Sequence, residues 1–153
     1  MLDKEYIVEI KNIDDTIHLA ENIESDHFKN MIICLDGDLG AGKTVFTKAF
    51  ASALGIKEEI TSPTFTIIKE YPDGELPLYH MDVYRIEDKI DDIGLVDYFN
   101  YGGVCIIEWS KMIEDYLPKE RLDIEILVTG ENSRVIKLIP HGEKYVKIVE
   151  GSI

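Results

Sequence analysis

Residues Gly37-Asp38-Leu39-Gly40-Ala41-Gly42-Lys43-Thr44 follow the spacing G-x-x-x-x-G-K-T, and their types suit one task, the holding of a polyphosphate. The glycines let the backbone curl so that successive N–H groups of Asp38, Leu39, Gly40, Ala41 and Gly42 point inward at phosphate oxygens. A helix beginning there would add the partial positive charge of its N-terminus. Lys43 is then placed to reach the β- and γ-phosphates, and the Thr44 hydroxyl to ligate Mg²⁺. The pattern implies a nucleoside triphosphate as ligand.

Such a site also needs acid groups, one to meet the metal and one to position or activate an attacking water. Glu108 closes the apolar run Val104-Cys105-Ile106-Ile107, the signature of a buried strand that delivers a carboxylate to Mg²⁺ directly or through water. Asp82 lies in His80-Met81-Asp82-Val83-Tyr84-Arg85, where strand alternation puts His80, Asp82 and Tyr84 on one face. Lys43, Asp82 and Glu108 are the candidate catalytic residues, and Thr44 and Glu108 the candidate metal ligands. His80 could contact phosphate or hydrogen-bond Asp82, but a lone strand histidine reads first as structural. Trp109 is either a core anchor or a wedge over the site, and Thr64 and Thr66 either approach the γ-phosphate or belong to a hydroxyl-rich turn.

The elements that must position these groups follow from periodicity. Met31 to Leu35 is an apolar run of strand length, and Thr44 to Leu54 carries Val45, Phe46, Ala49, Phe50, Ala53 and Leu54 at helical spacing, with Gly55 as a C-terminal cap. Tyr6 to Lys11 alternates as a strand, and Asp14 to Ser25 reads as a helix. Ile67 to Tyr71 and Leu78 to Arg85 form a hairpin across Pro72-Asp73-Gly74, and Leu122 to Val128 and Val135 to Pro140 another across Gly130 to Ser133. Lys89 to Tyr98 is mostly helical, Lys111 to Leu117 is a short helix stopped by Pro118, and Lys144 to Val149 is a last strand. The predicted fold class is α/β: a P-loop NTPase-like three-layer α/β/α sandwich with a mixed, largely parallel sheet and peripheral antiparallel hairpins.

Composition narrows the function. With 153 residues and 45% hydrophobic content, residues 1–153 suffice for a single domain with its own core. A formal net charge of -14 repels nucleic-acid phosphates, so any RNA role is indirect. Cys34 and Cys105 sit in apolar runs without C-x-x-C spacing, as buried small hydrophobes, and the four histidines are too scattered to predict a zinc site. The sequence shows neither a signal-peptide pattern nor an apolar run of membrane-spanning length, which predicts a cytoplasmic protein without membrane contact.

The phosphate loop, Ser62-Pro63-Thr64-Phe65, His80-Met81-Asp82-Val83-Tyr84-Arg85 and Glu108-Trp109, in this order and spacing, closely resemble the TsaE (formerly YjeE) family from about Asp14 to Gly142. The resemblance implies an ATPase, slow alone, that works with the TsaD and TsaB proteins in threonylcarbamoyladenosine modification of tRNA. Those partners would carry the transfer chemistry and the tRNA contact. It further implies ATP and Mg²⁺ as cofactors, Thr44 and Glu108 as holders of the metal, and Asp82 as the residue needed for hydrolysis; the adenine contacts are not fixed by these motifs, and the segment around Ile13 and the Gly130 to Asn132 turn are only candidates for them.

Other readings compete on specific residues. A GTPase would carry N-K-x-D or T-K-x-D after a strand; Asp88-Lys89-Ile90-Asp91 lacks both the amide and the apolar strand. A small-metabolite or nucleoside kinase would need arginines to clamp a second anionic substrate, and the chain has only Arg85, Arg121 and Arg134. A regulatory subunit in which ATP orders a docking surface and turnover is incidental stays open.

Overall fold

The structure is a computed structural model that describes residues 4–38, 40–61, 63, 67–84 and 94–153. Its frame is a seven-stranded sheet of order β1-β7-β6-β2-β5-β4-β3. The strands are β1 (Tyr6–Ile10), β2 (Met31–Gly37), β3 (Ile68–Tyr71), β4 (Leu78–Asp82), β5 (Val104–Glu108), β6 (Arg121–Val128) and β7 (Arg134–His141). The four central strands β6, β2, β5 and β4 run parallel, while β1, β7 and β3 add antiparallel pairings at the two sides. The central strands are the apolar ones because both faces are covered, and β2 and β5 are buried along nearly their whole length.

Among the described residues one face carries three α-helices, α1 (Ile13–Glu24), α2 (Lys43–Ala53) and α3 (Glu143–Ser152). Ile23, Phe46, Phe50 and Val149 pack there on Ile33, Leu35, Ile106 and Ile124. Phe46 and Phe50 are fully buried, one helical turn apart, with ring centroids 6.4 Å apart. Truncating either to alanine should cost about 3–5 kcal/mol. The opposite face packs Ile32, Cys34, Met81, Cys105 and Ile107 against Leu95, Phe99 and Ile113. Those last three come from 3₁₀ segments, Leu95–Asn100 and Ser110–Tyr116. The α/β/α layering expected from the sequence is therefore present, with 3₁₀ turns forming the second helical layer among the described residues. Both cysteines are buried, and burial pushes the Cys105 thiol up to about 12 and raises the Cys34 thiol as well.

Both predicted hairpins form. The short helix expected at Lys111 to Leu117 is present as a 3₁₀ helix, Ser110–Tyr116. Two elements differ from expectation. The segment expected to be a last strand, Lys144 to Val149, lies inside α3, because Tyr145, Ile148, Val149 and Ser152 are its buried positions and their spacing is that of one helix face. The strand expected to run to Arg85 ends at Asp82, where the Asp82 carboxylate accepts a hydrogen bond from the Tyr84 N–H and turns the chain. Of the predicted helix Lys89 to Tyr98, residues 89–93 lie outside the described residues, as do Ser62, Thr64, Phe65, Thr66 and Arg85. Among the described residues no helix is long and apolar enough to cross a membrane.

Candidate active site

Strand β2 ends at Gly37 and α2 begins at Lys43, so the glycine-rich loop lies at the carboxyl end of a central parallel strand. Gly37 is constrained by space: a Cβ there would meet the Ile126 carbonyl oxygen of β6 at 2.8 Å. Gly40 and Gly42 are required by conformation, with φ of 80° and 114°. Gly42 precedes α2 and has no side chain with which to cap it, so the first N–H groups of the helix face outward as donors for an anion. Asp38 is exposed just after β2, Thr44 is exposed in the first turn of α2, and Ala41 is buried; Leu39 lies outside the described residues.

The loop is held by a residue that the sequence reading did not assign. Arg134, the first residue of β7, donates from Nε to the Ala41 carbonyl at 3.0 Å and from Nη2 to the Gly40 carbonyl at 3.2 Å. The same guanidinium donates to the carbonyls of Gly130 and Ser133. It thereby ties the β6–β7 turn to the phosphate loop. Ninety-three positions separate Arg134 from Ala41, and no local spacing could have signalled the contact.

Beside this tie lies a cavity of about 210 Å³ lined by Asn12, Ile13, Ala41, Val45, Glu131 and Asn132 among others. It brings together the two segments expected to contact adenine, the one around Ile13 and the turn through Asn132.

Across the loop, β4 and β5 bring in the carboxylates. Asp82 and Glu108 are register partners on these neighbouring parallel strands, each the last residue of its strand. Glu108 is 6% exposed and Asp82 is half-buried. Lys43 is also buried, and its Nζ stands 3.7 Å from Glu108 Oε1 and 4.3 Å from the centre of the Trp109 ring. Trp109 has φ of 61°, packs partly into the core, and meets Tyr84 at 4.8 Å between ring centroids. The ring therefore packs partly on the core while its face meets the Lys43 ammonium. His80 is buried, and its Nε2–H donates to Glu108 Oε2 at 2.6 Å. Its partner is Glu108 and not Asp82, a neighbour that strand alternation alone does not reveal.

The structure therefore gathers Lys43, Asp82, Glu108 and Trp109 around the start of α2, with Gly40, Ala41 and Gly42 forming the adjoining loop. The donor set suits a hard divalent cation: a carboxylate oxygen on Glu108 that faces Lys43 and an exposed hydroxyl on Thr44 in the first turn of α2, with Asp82 the register partner of Glu108 on the next strand. On the opposite face Ser110 Oγ donates to Asp36 Oδ2, and burial raises the Asp36 carboxyl above its usual value. Asp36, Ser110, Lys111 and Asp123 line a second cavity of about 210 Å³ there, which contains none of the loop residues. Glu24, His27 and Glu75 cluster at the end of the sheet where β2 begins, away from the loop.

Fold and loop together define the class: an α/β protein of the P-loop NTPase-like kind. The model of the family "Threonylcarbamoyl adenosine biosynthesis protein TsaE" matches residues 10–136, most of the chain. The chain belongs to this family, which serves tRNA threonylcarbamoyladenosine biosynthesis. The protein of that name from Bacillus subtilis is 56% identical over 119 residues, covering 78% of this chain and 75% of its own. The one from Treponema pallidum is 46% identical over 107 residues, 69% of this chain and 78% of its own, and the one from Aquifex aeolicus 39% identical over 139 residues, 88% and 95%. The crystal structure of Bacillus subtilis YdiB superposes with a TM-score of 0.85 at 41% identity, covering 99% of this chain and 96% of the other.

Proposed function

We propose that the site binds Mg²⁺-ATP and hydrolyses it slowly, and that the chain thereby supports TsaD and TsaB in modifying tRNA. The observation that carries this reading is the meeting of Lys43 and Glu108 at 3.7 Å, because it joins the phosphate loop to the carboxylate strand in one site. In it, the loop N–H groups and the α2 N-terminus hold the β- and γ-phosphates, and Lys43 balances their charge. Thr44 and Glu108 would hold Mg²⁺, which when bound neutralises phosphate charge and polarises the γ-phosphoryl group. Asp82, one strand spacing of about 4.8 Å from Glu108 in the backbone, orients the attacking water and takes its proton. The cavity between Ile13 and Asn132 takes the adenine.

Two features support dependence on partners. The described residues include phosphate-, metal- and water-directed groups, yet no cluster of arginines stands ready to clamp a second anionic substrate. The net charge of -14 leaves tRNA contact to other proteins. The test is ATP hydrolysis by the pure chain with and without TsaD and TsaB, with tRNA threonylcarbamoylation as a second readout. Stimulation by the partners and loss of modification when the chain or ATP is omitted are expected. Phosphorylation of a small metabolite by the chain alone, indifferent to the partners, would replace this reading with a kinase.

A further inference from the structure

His80 never reaches the surface of the site it adjoins. It is 2% exposed, and its Nδ1 has no hydrogen-bond partner among the described residues, so its polar contact with Glu108 is the one that orients the ring. The two oxygens of Glu108 consequently keep different company. Oε2 accepts from the imidazole on the core side at 2.6 Å, and Oε1 faces Lys43 and the loop at 3.7 Å. Strand register explains how: Asp82 pairs with Glu108, so His80, two residues earlier on the same face and level with Ile106, reaches forward along the sheet to the carboxylate. A single strand, β4, thus sets one group beside Glu108 and another behind it.

We infer that His80 is a positioning residue, which pins the Glu108 carboxylate so that Oε1 is presented to the loop and thereby sets how much Mg²⁺ the site requires to take ATP. The inference rests on the reading of Glu108 as a metal ligand. An unrestrained glutamate samples many rotamers, and a buried charge-assisted hydrogen bond to one oxygen leaves few of them. The hydrogen bonds that hold a ligating carboxylate from behind are typically worth about ten- to a hundredfold in metal affinity. A histidine that merely filled space would be replaceable by any apolar side chain of similar volume.

The test is a Mg²⁺ titration of the binding of a fluorescent, non-hydrolysable ATP analogue to the full chain, in the absence of turnover. His80→Leu and His80→Met keep volume and lose the donor. His80→Gln places an amide N–H where Nε2–H stood. We expect both apolar variants to need about tenfold more Mg²⁺ or greater for half-saturation, with metal-free binding unchanged, and His80→Gln to stay within about threefold of wild type. Thermal melts identify which of the two apolar variants folds and is to be compared. Wild-type Mg²⁺ dependence in a folded apolar variant, or a glutamine variant as impaired as the apolar ones, would overturn the positioning role while leaving the ATP site intact. Absence of Mg²⁺-dependent binding by the wild type would overturn the site reading and this role with it.

Discussion

Asp82 and Glu108 end neighbouring parallel strands in direct register, yet their surroundings differ: Glu108 is buried between His80 and Lys43, while Asp82 is half-buried and accepts a backbone hydrogen bond from Tyr84. Paired position with unequal environment predicts divided labour. Glu108→Gln should raise the Mg²⁺ requirement for nucleotide binding about tenfold or more. Asp82→Asn should bind Mg²⁺-ATP nearly as wild type but hydrolyse it about 10²–10⁴-fold more slowly. Metal titrations and single-turnover rates on both variants decide the matter, and exchanged phenotypes would exchange the assignments.

Lys43→Ala removes the ammonium that stands between the Glu108 carboxylate and the Trp109 ring. ATP binding should weaken about ten- to a hundredfold, the range expected for a charged hydrogen bond to phosphate, while the melting temperature changes little. Equilibrium binding of a labelled nucleotide measures it.

Arg134→Gln should loosen the tie between the loop and the β6–β7 turn. With two loop carbonyls losing a cationic donor, stability should fall by about 1–2 kcal/mol and nucleotide affinity about tenfold, without any change in the chemistry of hydrolysis. Denaturant unfolding alongside ATP binding separates the two effects. Unchanged affinity would show that the loop keeps its shape unaided.

Asp36 gives a pH dependence of defined sign. Desolvation raises its carboxyl above the ordinary 3.8, so the folded protein holds that proton more tightly than the unfolded chain. The contribution to stability is present below that ordinary value and is lost as pH rises through the raised folded-state value. Asp36→Asn, which keeps an acceptor for Ser110, should therefore be more stable than wild type at neutral pH, and the gap should close on acidification. Urea unfolding at several pH values gives the slope directly.

Charge predicts a negative result for RNA. At -14, the isolated chain should give no saturable tRNA binding at about 10 µM protein, even at low salt where basic proteins bind best. A gel shift showing tight, salt-sensitive binding would contradict it.

What could be read in advance was what lies contiguous in the chain. The loop at 37–44, the carboxylate after Val104 to Ile107 and both hairpins are local patterns, and the structure shows each in its predicted setting. The tie from Arg134 and the bond from His80 to Glu108 are long-range, and depend on which strands become neighbours in the sheet. Helix α3 is hidden in the sequence for a different reason. Tyr145, Val146, Ile148 and Val149 are β-formers by type, and the helical spacing of the buried ones is decisive only once the face they pack on is known.

The two thiols on β2 and β5 have a practical consequence. With no access from solvent and pKa values pushed far from neutrality, Cys34 and Cys105 are poor nucleophiles while the sheet is closed. An alkylating reagent can capture them only when the strands that carry the phosphate loop and Glu108 part from their neighbours. The rate of labelling is thus a clock for breathing at the centre of the molecule, and its slowing by added nucleotide would measure how firmly a ligand at the carboxyl ends of those strands clamps them together.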